Sequence, residues 1–108
     1  MTPRIILVDD YEQLFEAAWT IREDLFETRR RYEERGIMTD LASTRLEAHV
    51  ASVNHVYLLA MQSRRDLLNN SDEGVDHEDR VDRLRRILLA VEENQRAWSY
   101  LDARPSTT

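Results

Sequence analysis

The chain contains no cysteine. Disulfides, thiolate nucleophiles and cysteine metal sites are excluded, although that absence says nothing of compartment. Lysine is absent too, and all 15 basic residues are arginine. This removes a Schiff-base amine, a P-loop lysine and a lysine general base. The only glycines are Gly36 and Gly74, and the only prolines Pro3 and Pro105. Glycine-rich phosphate loops and parallel α/β folds need more turn residues than this. The longest apolar run, VYLLAM at residues 56–61, falls far short of a membrane span. The apolar N-terminus meets Asp9 and Asp10 before it could form a signal-peptide core. A cytoplasmic protein with no membrane partner is expected.

What is present points to one folded domain. The length is 108 residues, with 42% hydrophobic and 33% charged side chains. A chain of this size buries roughly two-thirds of its unfolded surface, enough for one modest core. The net charge is −6. Neutralising a phosphate backbone needs excess cation, so a nucleic-acid partner is not expected.

Three helical patterns divide the sequence. From about Asp9 to Arg35, the residues Tyr11, Leu14, Ala18, Ile21, Leu25, Thr28 and Tyr32 recur at steps of three and four. That spacing draws one stripe down a helix. Phe15, Trp19 and Phe26 widen the stripe, and Glu16, Glu23, Glu27 and Arg30 lie opposite. Asp9 or Asp10 is expected to cap this helix, with Glu12 or Gln13 closing a capping box. Gly36 fits the left-handed residue of a Schellman ending, with Ile37 after it. A second helix is expected from Thr39, as N-cap, to about Asn69. Its stripe is Leu46, Val50, Val53, Tyr57, Ala60 and Leu67, with Val56, Met61 and Leu68 beside it. NNSDEGV reads as a loop. Asp76 then caps a third helix, which carries Glu78 and Asp79 where the helix dipole favours acids. Val81, Leu84, Leu88, Val91 and Trp98 form its stripe, with Ile87 and Leu101 alongside. The pattern ends near Asp102.

Helices of roughly 26 to 30 residues joined by short loops pack as antiparallel neighbours. The expected fold is therefore all-α: an up-down-up three-helix bundle over residues 9–102. It would be preceded by a short apolar arm (1–8) and followed by a disordered tail (103–108). RIILV could instead add turns to the first helix, with Pro3 at its first position.

The stretch RIILVDDYEQL also resembles the start of a two-component receiver, a strand followed by a Mg²⁺-binding acidic pair. A receiver further needs a phosphorylatable aspartate some forty residues on, and a lysine in a late loop. That later region reads HVASVNHVYLLAM, with helical period and no aspartate, and the chain has no lysine. The receiver is set aside.

Two acidic segments, EDLFE (Glu23 to Glu27) and EDRVD (Glu78 to Asp82), put carboxylates on adjacent helical turns. Such groups can hold Mg²⁺ for phosphate chemistry. They resemble the EExxE and ExxD segments of the all-α nucleotide pyrophosphohydrolases of the MazG type. The resemblance implies metal ligation by Glu23, Asp24, Glu27, Asp79 and Asp82. The chain departs from that family in a longer gap between the segments, and in setting Glu23 and Glu27 opposite the apolar stripe. Gln95, late in the third helix among arginines, is similar to a feature of all-helical chorismate mutases. Those enzymes also use a lysine and a much longer first helix, and this chain has neither. His49, His55 and His77 do not share the four-residue spacing of a helical metal pair. They are expected at a boundary, at the surface and in a first helical turn. Arg80, Arg83, Arg85 and Arg86 alternate with acids and read as surface ion pairs.

The surplus of apolar residues is the most informative feature. With Val56, Tyr57, Ala60 and Met61 filling the stripe of the second helix, Leu58 and Leu59 point away from it. Trp19 and Phe26 sit at the edge of the first stripe. Large exposed apolar patches mark interfaces. The expected function is a small acidic interaction module without enzymatic activity or cofactor: a regulator, adaptor or inhibitor of a protein partner, and a homodimer through Leu58, Leu59, Trp19 and Phe26. The alternative is the Mg²⁺-dependent pyrophosphohydrolase, using Glu23, Glu27, Asp79 and Asp82.

Overall fold

Three helices, α1 (Arg4–Glu34), α2 (Asp40–Leu68) and α3 (His77–Asp102), carry the chain in that order. The structure is a computed structural model that describes residues 2–102, with side chains described through residue 98. The expected tail, 103–108, lies outside the described residues.

The N-terminal arm expected at residues 1–8 is corrected for residues 4–8, which form the first turns of α1. The aspartates are accordingly not caps. Pro3 holds the N-cap position with φ −58° and makes no side-chain cap, while its carbonyl accepts from the backbone N–H of Ile6 (3.1 Å) and Leu7 (3.2 Å). Among the described residues there is no strand to pair this apolar run, and its backbone polar groups are satisfied within a helix. Tertiary anchors replace the missing cap. Leu7 enters the core, and the Arg4 guanidinium donates to the Leu67 carbonyl (2.8 Å) and to Asp72 (2.7 Å). Asp9 accepts from Gln13 one turn on (2.8 Å), and Asp10 faces Arg85 of α3 at 3.9 Å.

The other helix ends follow the sequence. Gly36 takes φ +66°, with Ile37 N–H donating to the Tyr32 carbonyl (3.0 Å) and Gly36 N–H to that of Glu33 (3.2 Å). This is the Schellman pattern. The Thr39 hydroxyl caps α2 by accepting from Ala42 N–H at 3.0 Å. Asp76 caps α3 by accepting from Asp79 N–H at 3.1 Å. The α2 terminus repeats the Schellman pattern with Asn70 in the left-handed region, at φ +55°. Ser71 N–H there donates to the Asp66 carbonyl (2.8 Å), and Asn70 N–H to that of Leu67 (3.3 Å).

The α1 stripe is buried as its spacing requires, whereas Val50 and Tyr57 of the expected α2 stripe and Trp98 of α3 are only partly buried and Val56, expected beside the α2 stripe, is fully buried. Every residue of the α1 stripe from Tyr11 to Tyr32 is buried, as are Leu46, Val53, Val56, Ala60 and Leu67 of α2 and Val81, Leu84, Leu88 and Val91 of α3. Asp10 meets Arg85, and Thr2 N–H donates to Glu78 (2.8 Å), so α1 and α3 start at the same end and run parallel. Glu12 pairs with Arg64 (2.7 Å) and Arg22 with Asn54 (3.1 Å), which sets α2 antiparallel to α1. The bundle is up-down-up.

Candidate functional site

The α1–α2 pair has two sides. One receives α3, where Asp10 meets Arg85 and the Ser63 hydroxyl accepts from Arg80 Nη1 at 2.9 Å. The other is open, and helical spacing lines it with apolar groups. On α1 these are Phe15, Trp19 and Phe26, and on α2 Tyr57, Met61 and Leu68. Phe15 and Trp19 both reach Tyr57, with ring centroids 6.1 and 5.9 Å apart. Arg22 lies between the aromatics, its guanidinium 5.2 Å from the Trp19 ring centre and 4.7 Å from that of Phe26. Its Nε donates to Asn54 across the groove. Trp19 is 49% exposed, Phe26 38%, Met61 39% and Leu68 54%. Leu58, 64% exposed, continues this face one turn from Met61. At about 200 Å² per large side chain these five leave roughly 500 Å² of apolar surface in water. That equals the largest patch of a typical monomer.

Leu59, expected beside Leu58, is not part of this face. One residue is a 100° step on a helix, which turns Leu59 toward α3. There it is half-buried, packs against the core and lines a groove with His55, Leu84 and Ile87. Charges at the ends of the open face are neutralised within the chain. Glu12 pairs with Arg64 near Phe15, and Arg29 with Glu47 (3.8 Å) beyond Phe26.

The acidic segments are placed apart. Glu27 holds Arg30, whose guanidinium keeps its carboxyl below the usual range. Asp79 pairs with Arg83 and Asp82 with Arg86, both at 2.7 Å, and Glu23 lies 3.8 Å from Arg22. Because α1 and α3 run parallel from a common end, Glu27 is level with Gln95, with which it shares a groove. Asp79 and Asp82 sit near the start of α1, about 20 Å away along the bundle at 1.5 Å per residue. Among the described residues, no three His, Asp or Glu side chains lie close enough to hold a metal. Arg83, Arg85 and Arg86 form the expected surface ion pairs, whereas Arg80 turns inward to Ser63.

Sequence reasoning missed a buried polar chain at the shared end of α1 and α3. The Tyr11 hydroxyl lies 2.7 Å from His77 Nδ1, and His77 Nε2 lies 2.9 Å from Asp72. Asp72 accepts in turn from Arg4. Ser63 adjoins the Tyr11 oxygen from the other side. With a neutral imidazole every donor finds an acceptor: Arg80 to Ser63, Ser63 to Tyr11, Tyr11 to His77, and both His77 and Arg4 to Asp72. Burial pushes the Tyr11 hydroxyl pKa up, which keeps it a donor. The Arg4 guanidinium, helped by His77, holds the Asp72 carboxyl at about 2. Tyr11 is fully buried, so this chain fastens the three helices and the α2–α3 loop and is closed to a substrate. Its members come from α1, α2, a loop and the start of α3, and no periodic pattern links them. No protein-family model, curated protein or solved structure matches the chain.

Proposed function

We propose that this protein works by protein–protein contact, as a homodimer joined through the open α1–α2 face. The observation that carries the reading is the set of exposed apolar side chains, Trp19, Phe26, Leu58, Met61 and Leu68, on the side of the α1–α2 pair that α3 leaves bare. A second copy suits it for two reasons. An apolar face is complementary to itself, as a two-fold interface requires. Two such faces together bring about 1,000 Å² of apolar surface out of water, the size at which a specific interface begins. The end charges of Glu12 with Arg64 and of Arg29 with Glu47 are already paired within each chain, which leaves Arg65, beside Met61 and Leu68, as a cation at the rim of the face. Arg22 supplies the polar centre, held between two rings and by Asn54. Aromatic and arginine side chains of this kind dominate binding energy at interfaces. Docking two α1–α2 hairpins makes a four-helix layer with α3 on each outer side. The net charge of −6 per chain remains on the outer surfaces, for a further partner to read.

The test is Leu58→Glu with Met61→Glu, measured by sedimentation beside Leu89→Glu. Leu89 is 51% exposed but lies on the α1–α3 side. The double variant is expected to be monomeric with full helicity, while Leu89→Glu stays dimeric. An unchanged dimer in the double variant overturns the reading.

A further inference from the structure

The end of the bundle away from Tyr11 holds a second polar layer, and this one is incomplete. Arg45, His49 and Gln95 occupy positions at or beside the core stripes of α2 and α3. Arg45 stacks on Trp98, with the guanidinium carbon 3.7 Å from the ring centre. Its Nη2 reaches the Tyr32 hydroxyl only at 3.4 Å. Its Nε and Nη1 are buried and have no hydrogen-bond partner, while the His49 and Gln95 side chains adjoin one another. Among the described residues, Arg45 forms no ion pair. Most arginines of α1 and α3 do. Burial lowers the pKa of both Arg45 and His49, which leaves His49 neutral and able to donate or accept.

A buried guanidinium without an acceptor is among the least favourable groups a fold can carry, and buried polar atoms are otherwise almost always paired. The layer around Tyr11, built from similar residue types, is paired throughout. The missing component here is an anion. Gln95 also lines a groove of about 390 Å³ between α1 and α3. Its charged walls are Asp24, Glu27, Arg31, Glu92 and Arg96, three acids against two arginines.

We propose that Arg45, with His49 and Gln95, forms a binding site for a small monocarboxylate. The carboxylate supplies acceptors for the guanidinium, and His49 and Gln95 satisfy one another or the ligand. Arginine is suited to this, since its planar fork matches a carboxylate. The net negative wall of the neighbouring groove repels a doubly charged anion more than a singly charged one, so phosphate is the poorer ligand. The site is independent of the dimer face: it uses α2 and α3 at the far end, and none of the residues of that face.

The experiment follows thermal unfolding of the full chain at fixed protein concentration and ionic strength, pH 7, with benzoate, phosphate or chloride as the sodium salt. Wild type is expected to melt several degrees higher in benzoate than in chloride, with saturation. Phosphate is expected to leave the melt where chloride does. Arg45→Met removes the unpaired charge and keeps the stem that packs on Trp98. In chloride it is expected to melt no lower than wild type, and it should show no benzoate shift. Tryptophan fluorescence should change with benzoate in Trp19→Phe, where Trp98 is the remaining indole, and stay constant in the same chain carrying Arg45→Met. An equal benzoate shift in wild type and Arg45→Met overturns the proposal, as does no shift in wild type or a larger shift with phosphate.

Discussion

Replacing Tyr11 by Phe removes one oxygen and leaves the rest of the core in place. The ring is fully buried and packs edge-on to His77, with centroids 5.6 Å apart, so Phe fills the same space. The hydroxyl's bond to His77 Nδ1, at 2.7 Å, disappears, and the Ser63 hydroxyl loses its acceptor. A neutral hydrogen bond contributes about 1 kcal/mol net, and leaving Nδ1 buried and unpaired adds about 1 to 3 kcal/mol, so a loss of at least about 2 kcal/mol is expected. For a domain of this length that lowers Tm by roughly 8 °C. It is also a large share of a total that runs from about 5 to 15 kcal/mol. The assay is urea unfolding followed by far-UV circular dichroism at pH 7, at matched protein concentration because self-association would add to stability. The midpoint should fall with an unchanged slope. In a His77→Ala background the hydroxyl has already lost its acceptor and keeps only the Ser63 bond, so the same change should cost clearly less. A loss below about 0.5 kcal/mol in the wild-type background, or an equal loss in both backgrounds, refutes the idea that Tyr11 and His77 act as a unit.

The remaining expectations concern acid, a helix end and two adjacent leucines. Asp72 has its folded pKa depressed to about 2, below its unfolded value, so its contribution is present above about pH 4 and is lost as pH falls toward 2. Asp72→Asn should therefore lower Tm at pH 7, and the gap to wild type should close as pH falls from 4 to 2 in a series of melts; a gap constant over that range counts against the Arg4 and His77 bonds. Asn70 holds φ +55°, a conformation glycine adopts without strain, so Asn70→Gly should raise stability by about 0.5 kcal/mol in urea unfolding. Leu59→Ala should cost about 2 kcal/mol and Leu58→Ala less than about 0.5 kcal/mol of monomer stability, because only Leu59 packs on the core. Equal effects in the same unfolding assay would show that the two side chains share one face.

The legible parts of this fold are those set by local repetition. The α1 stripe, the Thr39 and Asp76 caps and the Gly36 terminus each depend on residues within one or two turns, and all appear as the spacing demands. The start of α1 did not, because a pair of aspartates looks like a cap whichever way the apolar residues before it fold. What decides the matter is Arg4, which finds its partners 63 and 68 residues away. Leu59 was misplaced for a related reason. A helix that is apolar nearly all round through residues 56–61 does not declare which side meets α3, and a 100° step separates an exposed leucine from a packed one. Trp19 and Phe26 lie at the stripe edge as their spacing implies, and Arg22 between them was not singled out because an arginine among charged neighbours looks like surface. The two polar layers were invisible for a simpler reason. Tyr11, Ser63 and His77, and likewise Arg45, His49 and Gln95, come together across helices, and no sequence period records such meetings.

The central claim, self-association through the open α1–α2 face, is tested most directly by the solution mass of the wild-type protein. Light scattering on a sizing column, over a wide range of loading concentrations, reads it without any label. The account predicts twice the chain mass of 12.8 kDa, held as the protein is diluted until the dimer parts. A mass of 12.8 kDa at every concentration contradicts it.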